Sequence, residues 1–368
     1  MSARRNFLKR TLQATALVGI SSHPLIARAS MLLSENEENV KARHAKYTFN
    51  FASPYLSANS QWTPHVHHEI KQLIEEKTHH NIHVNIIDGG QTGVGSSLVS
   101  GVKFGQIQGA LVSISNLSPQ VKALDILNIP FWINDDEEYL RVVHSPLWRH
   151  HILSKTNNFN LEVLFHYVVG QRTAASTKRS NVLIASPEDY KNIPVRIANS
   201  QVSNSYYQLA QSKPYPIAWK FCAAAARAGR FNILDPSIIG LYSGPDNLKN
   251  EIDTISKVDF AHDGWAAIAN LDFINRLDKT TREQFNHALH DIQLIQHQHY
   301  LKANQACINQ FKAMGVKFYA PDHQERQLFI DKLGHQLPAW QKTKQSLLGD
   351  NGMAVFDQLY EIAQGLKA

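Results

Sequence analysis

The chain has 368 residues, of which 43% are hydrophobic and 18% charged, enough for two domains with sizeable cores and too apolar for a disordered chain. The formal charge is +6, but residues 1–29 hold Arg4, Arg5, Lys9, Arg10 and Arg28 with no acid, and without them the charge falls to +1. That balance excludes a global basic surface for nucleic acid.

Residues 1–29 read as an export signal. Arg4-Arg5-Asn6-Phe7-Leu8-Lys9 has the twin-arginine pattern, Leu12 to Ile20 is a mildly apolar run, and Ala27-Arg28-Ala29 supplies a small-residue cleavage site. A basic N-terminus that stays attached is the competing reading. The apolar run is shorter than the ~20 residues a membrane-spanning helix needs, and no other segment is longer and as apolar. Residues 30–45 form a polar leader.

From Tyr47 the pattern alternates between strands and helices. Tyr47 to Phe51 is a strand, and Trp62 to Thr78 carries Val66, Ile70, Leu73 and Ile74 at helical spacing. Ile82 to Ile87 is a second strand, Ser96 to Phe104 a helix, and Gly109 to Ile114 a third strand. This β-α-β-α-β order implies a mainly parallel sheet. Acidic Asp135 to Glu138 opens a helix towards His151, and Leu161 to Val169 is an apolar strand. Further on, Ile193 to Ala198 alternates as a short strand, Val202 to Gln211 and Trp219 to Ala228 are helical, and Phe231 to Leu234 returns as a strand. A long helix runs from about Leu277 towards Lys312, a short strand follows to Tyr319, and the rest is helical.

The chemistry-bearing residues exclude several classes. The turn Asp88 to Gly95 has no Gly-Lys-Ser/Thr ending and no Gly three residues after Gly95, so neither a P-loop nor a dinucleotide fingerprint is present. The 19 histidines include the cluster His65, His67 and His68, with His79 and His80 further on, but no His-Glu-x-x-His pair. They are expected to be solvated, with no metal. There is no Gly-x-Ser-x-Gly, and neither cysteine has a histidine at catalytic spacing. Neither a catalytic residue nor a cofactor is assigned. Cys222 and Cys307 are two buried thiols or one disulfide.

Arg196 stands out. It sits on a strand between Val195 and Ile197, where a fixed stem would aim its planar fork of donors at a carboxylate. A surface salt bridge is the competing reading.

Several stretches share an order and spacing. They are Gly170-Gln171-Arg172, then Pro187-Glu188-Asp189-Tyr190-Lys191-Asn192, then Val195-Arg196-Ile197-Ala198-Asn199-Ser200, then Pro216-Ile217-Ala218-Trp219, and last Asp235-Pro236. With Leu127-Asn128-Ile129-Pro130-Phe131, this series resembles the DctP-type solute-binding proteins of tripartite ATP-independent periplasmic (TRAP) transporters. The resemblance runs from about Tyr47 onward and weakens at Phe231 to Pro236. It implies an α/β, two-lobed periplasmic binding protein fold. Each lobe is a mainly parallel sheet flanked by helices, with a ligand cleft and hinge between them. Lobe I is expected at 46–169 plus about 258–297, lobe II at 170–257 plus about 298–368. The implied function is a periplasmic receptor that captures a small organic acid and delivers it to membrane permease subunits. A ligand sensor and an enzyme on the same fold are the alternatives.

The resemblance also implies the site. Arg196 would clamp the ligand's carboxylate, Arg172 would be a second ligand-facing cation, and Gln91 would lie near the cleft. Trp219 would pack on the ligand, or be a core aromatic instead. Asp235 stands where the family usually has Asn. An ionised carboxylate accepts hydrogen bonds but donates none. The expected ligand therefore has one carboxylate and a donor such as an amine or hydroxyl. Alternatively, Asp235 turns away and pairs with Arg230 or Lys220.

Overall fold

The computed structural model describes residues 38–59 and 62–366. The export signal and its cleavage site lie outside them. Residues 38–45 form a unit of their own, a short helix at 38–44. The remainder, from Lys46, forms the second unit.

That unit contains two sheets. The strands in chain order are β1 (Tyr47–Ala52), β2 (Ile82–Ile87), β3 (Gly109–Ser113), β4 (Leu161–Tyr167), β5 (Ala174–Thr177), β6 (Pro194–Ile197), β7 (Lys213–Pro216), β8 (Ile233–Leu234), β9 (Ile252–Ser256), β10 (Trp265–Asn270) and β11 (Lys317–Tyr319). The first sheet has the order β2-β1-β3-β10-β4 and the second β11-β9-β5-β8-β6-β7. Phe49 and Phe51 of β1 point into the core while Thr48 is exposed, the alternation of a strand with one face covered. In each sheet one strand runs against the others: β10 in the first and β5 in the second. Both are the first strand after the chain has crossed from the other sheet.

The crossings pair with each other. Gln171 and His262 form an antiparallel bridge. The Arg172 N–H donates to Ala261 O at 2.8 Å, and the Asp263 N–H to Gly170 O at 2.9 Å. Gly170 has φ of 90°, and a Cβ there would come within 3.0 Å of the Tyr300 hydroxyl oxygen, so both backbone and neighbour demand glycine. The two crossings are thus a short ribbon between the sheets.

A third connection is the helix Lys279–Ala313, 35 residues and roughly 50 Å long. Its buried stripe of Ile292, Gln296, Tyr300, Ala303, Cys307 and Phe311 keeps helical spacing. It packs on the helix His67–Lys77 and β4 at one end and on the helix Ile238–Tyr242 and β11 at the other. Gln296 accepts from the Val168 N–H at 3.1 Å and donates to Val168 O at 2.8 Å, fastening the helix to the first crossing.

The C-terminal helices brace both parts. His323–Leu333 packs on Pro187–Tyr190, Pro338–Leu348 on Lys122–Asn128, and Gly352–Ala363 on Asp136–His144. Asp125 joins the same region to the second sheet, accepting from Ser200 Oγ at 2.8 Å and the Val202 N–H at 3.1 Å.

Several expected boundaries move. The helix over Trp62 to Thr78 begins only at His67, and the one towards His151 breaks at Ser145-Pro146. Cys222 and Cys307 are free and buried. His65 and His67 are not solvated as expected; they are 3% and 4% exposed. His65 stacks on Tyr55 at 3.9 Å, and burial holds both imidazoles below their usual pKa, His67 at about 4. No helix among the described residues is long and apolar enough to cross a membrane.

Replacing Gln296 with Leu should leave the buried N–H and C=O of Val168 unpaired, at about 1–3 kcal/mol each. Urea unfolding should show a lower midpoint with the slope unchanged. A midpoint equal to that of the native chain would mean the clamp contributes nothing.

Candidate functional site

The cleft opens at the carboxyl ends of the parallel strands, where α/β sheets place their ligands. Pro54 and Tyr55 follow β1, Gly95 follows β2, Ala198 follows β6 and Pro236 follows β8. The reversed strands contribute from their beginnings: Arg172 just before β5, Asp263 and Trp265 at the start of β10. Together they line a tight cavity of about 30 Å³. At Gly95, φ is 63°, and a Cβ would approach Asn116 Oδ1 to 3.2 Å.

Arg196 enters from β6 and is 4% exposed. Its Nε and Nη2 donate to Ile217 O at 3.0 and 2.8 Å. Its guanidinium carbon lies 5.2 Å from the centre of the Trp219 ring, a cation–π arrangement. One edge of the fork is thus held by backbone and one face by an indole. Nη1 and the second Nη2 proton remain for a guest.

Arg172 is engaged differently. Its Nη2 lies 2.9 Å from Asp263 Oδ1 and donates to Ser115 Oγ at 3.1 Å; its Nη1 lies 3.4 Å from Asp235 Oδ1. Asp263 Oδ2 accepts from the Ser237 N–H at 3.0 Å. Burial works against the Arg172 charge, but Asp263 and Asp235 outweigh it and hold its pKa above the usual value. For Asp235, burial pushes the pKa up, and Arg172 and Arg196 pull it back in part.

Arg196, Arg172 and Trp219 therefore meet in one pocket. Asp235 is fully buried behind Arg172 and is not part of the wall. It turns away from the cleft, as one alternative held, but its partner is Arg172, not Arg230 or Lys220. Gln91 is exposed, with its amide 3.4 Å from Asp88 Oδ1, and also lies off the wall. The wall residues that the sequence reading missed are Tyr55, Trp265, Asp263 and Asn116. A broader groove lies elsewhere, between β4 and the long helix, but neither arginine of the cleft lines it.

Residues 52–226, a little under half of the chain, match the family DctP, bacterial extracellular solute-binding protein, family 7. The matched segment is of the DctP type. Among curated proteins none matches. Solved structures agree on the fold. A TRAP periplasmic solute-binding protein from Anaerococcus prevotii with bound D-glucuronate has a TM-score of 0.77 at 17% identity, covering 88% of this chain and 100% of its own. One from Desulfovibrio salexigens with bound orotic acid has a TM-score of 0.78 at 14% identity, covering 87% and 100%. One from Pseudomonas aeruginosa with bound L-malate has a TM-score of 0.73 at 16% identity, covering 80% and 99%. At these identities they speak for the fold, and the cleft must be read from its own residues.

The raised pKa of Asp235 means the folded chain keeps a proton there that the unfolded chain has released, in a window just above the ordinary aspartate value. Stability contributed by this residue therefore falls as pH rises through that window. Asp235→Asn removes the titration. Denaturant unfolding should show the stability difference moving in the variant's favour between about pH 3 and about pH 6. A flat difference, or one moving the other way, would contradict the assignment.

Proposed function

We propose that this chain is a periplasmic receptor that captures a small organic acid and presents it to the membrane permease subunits of a TRAP-type transporter, without catalysis. The observation that carries the reading is the buried Arg196 fork. It is braced on one edge by a backbone carbonyl and on one face by Trp219, and its other edge is turned to the pocket. A guanidinium held this way is preorganised for a carboxylate. The DctP match and the acids bound by the similar structures support the same chemistry.

On this reading, lobe I comprises 46–169 plus about 258–297 and lobe II 170–257 plus about 298–368, with the C-terminal helices bracing both. Hinge motion about the ribbon closes the cleft on its ligand. Arg196 clamps the carboxylate and Trp219 covers it. Arg172 sets the charge of the wall and does not clamp a second group. Export to the periplasm follows the twin-arginine route suggested by Arg4 and Arg5.

A thermal-shift screen of the protein against small organic acids tests this. A ligand at 100 times its Kd should stabilise the fold by roughly 2.7 kcal/mol. Arg196→Ala should weaken binding by about 2–5 kcal/mol, because a buried carboxylate loses its partner. A shift that survives the substitution would move the clamp elsewhere. Turnover of the acid on prolonged incubation would replace the receptor with an enzyme.

A further inference from the structure

We infer that the cleft pocket selects a flat, apolar monocarboxylate, an aromatic acid, and excludes dicarboxylates and polyhydroxylated acids. This rests on the receptor reading above and narrows it to a substrate class.

Charge is one support. Three charged side chains line the pocket, Arg172, Arg196 and Asp263, and Asp235 stands directly behind Arg172. Their formal charges cancel. Arg172 faces both acids, at 3.4 Å and 2.9 Å. Arg196 has no acid at salt-bridge distance among the described residues and keeps an open edge. One ligand carboxylate matches that edge. A second would find the other guanidinium already engaged, and would meet Asp263 in the wall. All four groups are at most 4% exposed, so water does little to screen that repulsion.

The walls are an independent support. Tyr55, Trp219 and Trp265 present three aromatic rings, and Leu111, Val112 and Pro236 fill between them. Tyr55 and Trp265 pack on each other at 5.2 Å, tilted by 50°, with His65 stacked behind Tyr55 at 3.9 Å, and so form one continuous aromatic wall. Besides the charged groups, the polar side chains in the wall are Ser113, Asn116 and the Tyr55 hydroxyl. The Ser113 oxygen already accepts from the Ser115 N–H at 3.3 Å. A sugar acid would bury more hydroxyls than these few groups can pair, whereas an aromatic ring has none to satisfy.

Calorimetric titration of the full chain with benzoate, phenylacetate, succinate and D-glucuronate tests the inference, with Trp fluorescence reporting contact with the pocket. One of the two aromatic acids should bind at least about tenfold more tightly than succinate and D-glucuronate. Arg196→Ala should abolish that binding. Asp235→Asn, which frees one side of Arg172, should strengthen succinate binding about tenfold or more. If succinate or D-glucuronate matches the aromatic acids in the native chain, the class is wrong; the receptor reading survives if Arg196→Ala still abolishes binding. Unchanged succinate affinity in Asp235→Asn would overturn the charge balance as the source of selectivity. If none of the four binds, both readings fall.

Discussion

Arg172 carries a full positive charge with almost no contact with water, and much of the molecule is arranged around that fact. A buried guanidinium without partners would be costly enough to unfold the site. Here Asp263, Asp235 and Ser115 surround it, and they come from three separated parts of the chain. Asp263 lies on the return crossing, Asp235 follows a central strand of the second sheet, and Ser115 follows a central strand of the first. The charge can be satisfied only when both sheets and both crossings are in register. A surface ion pair would be worth too little to impose such a condition; a buried one is worth little net but costs heavily to break.

The two arginines differ because of what each has been given. Arg172 has acids, so its field is largely cancelled inside the protein. Arg196 has a neutral carbonyl and an indole face, which orient it without neutralising it. The same residue type therefore serves as a strut in one place and as an open anion site in the other. Exposure does not distinguish them, since both are nearly buried; the charge of their neighbours does.

Much of this was legible in the sequence. The strands β1 to β4, the long helix and the DctP-type order all follow from periodicity, Gly and Pro placement, and short motifs. The missed pieces share a physical cause. β5 (Ala-Ala-Ser-Thr) and β10 (Trp-Ala-Ala-Ile-Ala-Asn) are buried on both faces, so they lack the period-two alternation that marks a half-covered strand. β7 contains Pro214 and Pro216, which argue against a strand unless it lies at an edge, where β7 is found and where prolines discourage further pairing. Tyr55 and Trp265 enter the pocket through contacts between distant segments, and nothing local in their sequence signals it. His65 and His67 look solvated in a polar stretch, yet the stack under Tyr55 buries them. Asp235 was legible as unusual, but its partner, 63 residues away in sequence, was not.

The placement of Arg172 bears on how closure couples to binding. The crossing ribbon is where the two sheets are joined, so groups on it move least when one sheet rotates against the other. Arg172 and Asp263 both sit there and can stay paired in open and closed states. On the proposed receptor reading, Arg196 and Trp219 travel with the second sheet and Tyr55 with the first. A ligand shifts an equilibrium only through contacts that differ between the states. Contacts to Arg172 would be present in both and would add affinity without driving closure. On that same reading, contacts that join Arg196 to the rings across the cleft exist only when it is shut. A carboxylate on Arg196 with a body reaching Tyr55 therefore does both tasks, and the neutralised arginine at the pivot leaves that task to the moving walls.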